Sequence, residues 1–420
     1  MVTNGYDLVG DDYDGFSTYP VPNDDPDDCY GHGTHVAGII AASDNPYFVG
    51  AAPNAKLAAY RVFGCWGGSS DDVMMAGFNR AYQDGTDIIT ASLGGSSGWS
   101  STPLALTVSR IVEKGVPCTV SAGNGGIGLF DISSPASGKG VTAIASFDSK
   151  DIPWLLAEGS FSVDGNVSRP FQWKIGRPGG FDGVERELWV TGFDLENDRD
   201  ACQPLPDDTP DLSEYNVFIR RAVRCNYNTQ ATNVAAKGAR FVTFFNDQAG
   251  IQQPNIALFD ETENIVGAAM VIQEQGEAWV KALERGSTVR TIMTNNDSTK
   301  IELVLLNNTA TPGALSYYTN WGPTFEMGFK PQFGAPGGYI WSTYPLENGG
   351  YIGMSGTSMA APLAAAAFAL VAQARGVKPE PALFEQLLAS TAKTQLFQWG
   401  GPFQDWLAPP AQQGAGLMQV

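Results

Sequence analysis

Ser355-Gly356-Thr357-Ser358-Met359-Ala360-Ala361-Pro362 closes a glycine-rich turn and opens an apolar, alanine-rich run that continues to Ala374. The pattern predicts a helix from Ser358 to Ala374. Gly356 permits a tight turn, and Pro362 is tolerated because the first helical turn has no N–H partner to lose. The run is shorter than the ~20 residues of a bilayer span, and its alanine content favours a buried helix. A helix start leaves N–H groups unpaired and carries positive partial charge, so a hydroxyl held there can attack while those groups stabilise an oxyanion. The plainer alternative is that Ser358 only caps a core helix.

The surroundings of that helix set the fold class. From His32 to Ser146 helix and strand patterns alternate, with helices near 34–42, 71–82 and 104–114 and strands near 57–63, 87–92, up to Val120 and near 141–145. Such alternation predicts an α/β domain, a parallel sheet with helices on both faces. A further helix near 381–392 has Leu383, Phe384, Leu387 and Leu388 along one side. Between about 152 and 311 the pattern changes to short β-like runs at 187–190, 217–219, 241–245 and 301–306, with proline-rich loops and one amphipathic piece at 231–237. The expected organisation is a domain in two parts, 1–151 and 312–420, interrupted by a β-rich insert, 152–311.

The only two histidines are His32 and His35, in Gly31-His32-Gly33-Thr34-His35-Val36-Ala37-Gly38-Ile39. On a helix that buries Val36, Ile39 and Ile40, His32 stands at the amino end, free to reach another element, and His35 packs one turn inside. A hydroxyl needs a base to take its proton, and histidine titrates in the right range. Val120-Ser121-Ala122-Gly123-Asn124-Gly125-Gly126 ends an apolar strand, so Asn124 emerges at a strand end. Its amide can donate to a developing oxyanion, or it is a turn asparagine before Gly-Gly.

Together these segments resemble the subtilisin-like serine proteases. The resemblance implies His32 as general base, Ser358 as nucleophile and Asn124 as oxyanion donor. Chain order agrees: an α/β-hydrolase places its histidine last, and no histidine follows Ser358. Ala91-Ser92-Leu93-Gly94-Gly95 looks like the family's substrate-binding strand. The resemblance implies that Ser92, Leu93 and Gly94 pair with a substrate backbone and that Ser121, Ala122 and Gly123 flank its first specificity pocket. Asn320-Trp321-Gly322-Pro323 and Lys330-Pro331 through Ala335-Pro336-Gly337-Gly338 look like the lead-in to the serine helix. Ala201 to Pro206, Val217 to Arg220 and Ala235 to Ala239 look like a protease-associated domain, implied as a gate or selector with no chemistry of its own.

The family's triad aspartate, in an Asp-Thr-Gly or Asp-Ser-Gly pattern after an apolar strand, has no counterpart before His32. Asp7, Asp11, Asp12, Asp14, Asp24, Asp25, Asp27 and Asp28 all precede it, but none follows four to eight apolar residues, and they read as solvated loop charge. The expectation is a chain lacking a front segment, with the sheet edges beside the missing strand exposed. Gln412 to Leu417 reads as the start of a further helix cut short.

Composition bounds the rest. The 420 residues, 43% apolar, suffice for two domains, and 44 acidic against 25 basic side chains give a net charge of −19, which argues against nucleic acid or an anionic membrane as partner. Two histidines and scattered cysteines build no zinc site. The resemblance implies no required cofactor, structural calcium as a common companion, a propeptide in the precursor, secretion and polypeptide substrates. Of five cysteines, Cys29 with Cys65 and Cys202 with Cys225 are the expected bridges, leaving Cys118 as a buried thiol. Sequons begin at Asn166, Asn296 and Asn307. Two functions stand: a secreted serine endopeptidase, and an inactive binding or decoy module using the same cleft.

Overall fold

A computed structural model describes residues 2–419 apart from 248, 249, 259–261 and 297. The chain divides into two compact units, one formed by 1–151 with 309–420 and the other by 152–308.

The first unit opens with β1 (Val2–Asp7), α1 (His32–Ala41), β2 (Leu57–Arg61), α2 (Asp71–Gln83), β3 (Ile89–Ala91) and β4 (Gly95–Ser96). It continues through α3 (Pro103–Glu113), β5 (Cys118–Ser121), β6 (Ser133–Ser134) and β7 (Thr142–Asp148). After the second unit come β16 (Phe333–Gly338), β17 (Ile340–Thr343), β18 (Tyr351–Met354), α6 (Thr357–Arg375) and α7 (Pro381–Thr391). Strands β16, β7, β5 and β3 form a parallel sheet in that order. Side chains alternate across it as a two-residue period requires. Ala143 joins the core beneath α2 and α3, and Ile144 joins the one beneath α6 and α7. Helix α6 is lined with alanines on its buried side and packs across β3, β5, β7 and β16. By length and composition alone it could cross a membrane, yet it is the central core helix of this unit.

Strands β1 and β2 make a separate parallel pair. This is unusual, because a strand–helix–strand crossover such as β2–α2–β3 ordinarily joins strands of one sheet. Here Val62, Phe78 and Ile89 share one core under α2, while among the described strands the edges of β2 away from β1 and of β3 away from β5 are unpaired.

The second unit runs β8 (Asp151–Val163), β9 (Arg169–Gly179), β10 (Val184–Val190), β11 (Tyr215–Arg220), α4 (Tyr227–Ala235), β12 (Phe241–Phe245), β13 (Gly267–Val271), α5 (Gln273–Glu284), β14 (Val289–Met293) and β15 (Ile301–Asn307). Its eight strands are ordered β14-β10-β11-β12-β13-β9-β8-β15, and β14 also pairs with β8. Aromatic side chains fill its interior, including fully buried Trp173, Phe181 and Phe218.

Two sequence expectations are corrected. Asp7 is not solvated loop charge: it ends β1 with no exposed surface and faces Arg61 at 3.3 Å. Strand β1 was illegible because Thr3, Asn4 and Gly5 break its apolar pattern; pairing with β2 overrides propensity. Gln412 to Leu417 is not the start of a helix. A four-residue helix ends at Gln413, Gly414 and Gly416 turn with positive φ, and Leu417 bridges Gly334 and Lys393. Of the sequons, Asn166 lies in an exposed turn, Asn307 ends β15, and the middle residue of the third, 297, lies outside the described residues.

Disulfides join Cys29 to Cys65 and Cys202 to Cys225, and Cys118 is a buried thiol whose pKa burial pushes upward. Alkylation counted by mass spectrometry should therefore add nothing to the native protein, one group after denaturation and five after denaturation with reduction. Modification of Cys118 in the folded protein would contradict this packing.

Candidate active site

Helix α1 is started by Asp28. Its carboxylate accepts the N–H groups of Tyr30, Gly31 and Thr34 at 2.9, 2.8 and 2.7 Å and the Thr34 hydroxyl at 2.7 Å. These are donors that a helix start leaves open, and the negative charge suits the dipole. The result places His32 as the first residue of α1, half-buried. Burial pulls its imidazole pKa below the ordinary value, with the Asp28 charge opposing. Among the described residues no carboxylate hydrogen-bonds its ring. Asp7, the buried candidate upstream, is saturated by Val9 and Gly10 N–H, the Asn23 amide and Arg61.

His35 is fully buried one turn inside, its Nε2–H donating to the Ile352 carbonyl at 3.1 Å. Burial pushes its pKa down to about 4. The hairpin β17–β18 lies on α1: Ser342 Oγ donates to the His35 carbonyl at 2.7 Å and Thr343 Oγ1 to the Thr34 carbonyl at 2.9 Å. Gly38 makes this approach possible, since a Cβ there would lie 2.2 Å from Thr343 Oγ1. The hairpin's second strand leads directly into α6. Further along, Ile40 and Ala41 of α1 share a cluster with Ala366 of α6. Helices α1 and α6 therefore pack directly on one another as well as through the hairpin.

The start of α6 is tied to two strand ends. Thr357 N–H and its hydroxyl both donate to Asn124 Oδ1 at 2.9 Å, and the Gly123 N–H donates to Thr357 Oγ1 at 3.2 Å. Ser92, after β3, donates from Oγ to the Ser358 carbonyl at 2.6 Å. With Oδ1 engaged, the Nδ2 donor of Asn124 is the part left for chemistry. A methyl group at Gly356 would sit 3.4 Å from that Nδ2 and 3.7 Å from Ser358 Cβ, so the amide and the serine border one small space.

Of the other predicted site residues, Ser121 and Ala122 are buried, with Ala122 N–H donating to the Ile144 carbonyl at 3.1 Å. The side chain of Leu93 is partly buried against the core. Gly94 has φ +137°, and a Cβ there would meet the Ser134 carbonyl at 2.2 Å, so only glycine fits. Sequence reading missed Thr357 and Asn320 as supports. Asn320 Oδ1 accepts the N–H groups of Gly125 and Gly126, and its Nδ2 donates to the Asp131 carbonyl, fixing the loop after Asn124. The quoted Asn320-Trp321-Gly322-Pro323 motif was its only signal.

A cavity of about 970 Å³ beside the start of α1 is lined by Asp11, Asp25, Asp27, Asp28, Tyr344 and Glu347 among others. Of its carboxylates, Asp11 pairs with Arg61 at 2.7 Å, and Asp25 and Asp27 each accept a neighbouring backbone N–H. The close group of Asp11, Cys29 and Cys65 is a disulfide beside an ion pair.

Residues 6–415 match the profile of the Subtilase family. The chain belongs to the subtilases. It is similar to the PI-type proteinase of Lactococcus lactis subsp. cremoris, 30% identical over 434 residues that cover 93% of this chain and 22% of that protein. Similarity to the minor extracellular protease Vpr of Bacillus subtilis is 28% over 422 residues, 99% of this chain and 48% of the relative. The chain thus spans less than half the length of these relatives. A solved structure, the psychrophilic subtilisin-like protease Apa1 from Pseudoalteromonas sp. AS-11, superposes with a TM-score of 0.53 over 98% of this chain and 86% of that one, at 16% identity. That likeness bears on fold, and it extends the subtilisin-like architecture to this subtilase.

His35 gives this region a defined pH response. The folded state holds its pKa near 4 and the unfolded chain near 6.5, so the unfolded state binds the extra proton between these values. The stabilisation is complete above pH 6.5 and is lost as pH falls toward 4, by up to about 3 kcal/mol. Urea midpoints measured across that range should fall for the wild type and fall less for His35→Gln. Parallel curves would remove His35 from the account.

Proposed function

We propose that the first unit is the catalytic part of a serine endopeptidase acting on polypeptides. Ser358 is its nucleophile and His32 its general base. Asn124 Nδ2, with the backbone N–H of Ser358, stabilises the oxyanion of the tetrahedral intermediate. The observation that carries this reading is the double hydrogen bond from Thr357 to Asn124 Oδ1, which leaves the donor end of the amide beside Ser358. A depressed His32 pKa keeps the imidazole neutral and basic near pH 7, as proton abstraction requires. Ser92 to Gly94 and Ser121 to Gly123 form the substrate-binding edges, the backbone of the first pairing with an extended peptide. The insert, 152–311, is a protease-associated-type domain that selects substrates. Secretion is supported by the two disulfides and by the extracellular naming of one relative.

A second reading, a binding or decoy module without turnover, is favoured by one observation: no described carboxylate reaches the His32 ring. Asp28 is the charge nearest in effect, but its oxygens already serve α1. In subtilisin, loss of the triad aspartate alone costs about 3 × 10⁴ in kcat. With the described residues alone, labelling of Ser358 is driven by the oxyanion donors and an imidazole without a hydrogen-bonded carboxylate, and slow capture is the expected outcome.

Prolonged incubation with a fluorophosphonate separates the two readings. Covalent capture at Ser358, abolished in Ser358→Ala and slowed about 10²- to 10³-fold in Asn124→Ala, is the expected result. Absence of capture, under conditions where the protein remains folded, would favour the binding reading.

Gly356→Ala offers an independent check. Gly356 has φ 166°, extended backbone open to alanine, and the new methyl meets only ordinary contacts. Thermal stability should hardly change, while capture should fall sharply because the methyl occupies the space between Asn124 Nδ2 and Ser358. Normal capture by this variant would place the oxyanion elsewhere.

A further inference from the structure

Asp148 ends β7 and is 8% exposed. Its carboxylate accepts hydroxyl hydrogens from Ser316 and, at 2.6 Å, from Thr311. Both partners are neutral, and burial raises the carboxyl pKa above its usual range against their pull. Burying a carboxylate on neutral donors is costly, and a turn needing only a hydrogen-bond acceptor does not require one.

The group sits where three pieces of chain meet. The first is the stretch that leaves the first unit, since β7 ends here and β8 begins at Asp151. The second is the stretch that returns: Gly313 N–H donates to the Asp148 carbonyl at 3.0 Å, and Asp148 N–H to the Ala314 carbonyl at 2.7 Å. The third is β16, whose Gly338 lies so close that a Cβ would fall 2.2 Å from Asp148 Oδ1. Ser149 N–H donates to the Gly338 carbonyl at 3.1 Å.

From β16 the contacts pass to the turn before Ser358. The Gly337 carbonyl accepts the Gly356 N–H at 2.8 Å, and Tyr339 N–H donates to Ser355 Oγ at 2.9 Å. A hydroxyl chain runs alongside: Ser316 Oγ to Ser146 Oγ at 3.0 Å, then to Tyr318 Oη at 2.9 Å, which lies 3.4 Å from the Gly337 oxygen. One buried carboxyl group thus anchors the hydroxyls, the two attachment stretches of the insert and the strand that holds the Ser355–Gly356 turn.

We propose that Asp148 is a positioning residue that ties the exit and re-entry strands of the inserted unit to the turn in front of Ser358. The catalytic consequence rests on Ser358 being the nucleophile; the mechanical link does not. Asp148 touches no reacting atom and acts through β16.

Amide exchange of the full chain, read by mass spectrometry on the peptide 353–358, tests the link. In Asp148→Ala and in Thr311→Val the Gly356 amide should exchange about tenfold faster than in wild type, with Asp148→Asn between them and wild type. Thr311 also hydrogen-bonds the Tyr339 side chain, so Tyr339→Phe is the control: it removes that contact and leaves both hydroxyls on Asp148, and an effect of Thr311→Val that Tyr339→Phe does not reproduce travels through the carboxylate. If Asp148→Ala does not fold, Thr311→Val decides. Unchanged exchange in the folded variants overturns the proposal. The fluorophosphonate reaction adds the catalytic readout: the maximal capture rate should fall in Thr311→Val while the reagent's apparent affinity stays constant. A wild-type protein that is never captured refutes the proteolytic reading, and the exchange result still judges the link. Capture kinetics identical in wild type and Thr311→Val, despite faster exchange, would remove the catalytic part of the proposal.

Discussion

The two hydrogen bonds from Thr357 to Asn124 Oδ1 are the constraint on which the site depends. They join the first residue of α6 to the loop after β5, and they satisfy a donor that the helix start would otherwise leave open. They also settle which way the Asn124 amide faces, because an oxygen that accepts from Thr357 leaves only the nitrogen to serve a ligand. Every other support strengthens this junction. Ser92 binds the Ser358 carbonyl from β3, Asn320 shapes the loop beyond Asn124, and Gly337 holds Gly356 from β16. The parallel sheet matters because it brings the carboxyl ends of β3 and β5 to the edge where α6 begins.

Helix α1, which begins with His32, is held by a different contact: the hairpin β17–β18 rests on the carbonyls of Thr34 and His35 before feeding α6. Asp28 completes the arrangement electrostatically. It favours the start of α1 and raises the His32 pKa somewhat, while burial lowers it further. What the ring lacks among the described residues is a hydrogen-bonded anion to orient it. Between β2 and β3 the sheet is divided, and two strands under one helix belong to different sheets.

Much of this was legible in the sequence, and the legible parts share a physical character. Helices with a continuous apolar side, such as α3 and α6, and strands buried on both faces, such as β5, β7 and β12, announce themselves by composition over a short window. His32, Asn124 and Ser358 stood out because each lies at an element boundary marked by glycine. Strand β1 did not, because Asn4 and Gly5 interrupt it and only its partner makes it a strand. The long strands β8 and β9 escaped as well: Pro153 sits inside the apolar run that opens β8, and Pro170, Gly176, Pro178 and Gly179 interrupt β9. Asp7 and Asp148 were hidden for a deeper reason. Their roles come from partners 54 and 168 positions away, Arg61 and Ser316, and no local pattern encodes such a distance.

The central claim is that imidazole, alcohol and carboxamide converge on one reaction centre. A crystal structure of the protein after exposure to a small fluorophosphonate measures this directly. The account predicts phosphorus bonded to Ser358 Oγ, a phosphoryl oxygen within hydrogen-bond reach of Asn124 Nδ2, and the His32 ring within direct or single-water reach of the same oxygen atoms. A folded protein in which the His32 ring lies farther from Ser358 than one water can bridge would contradict it.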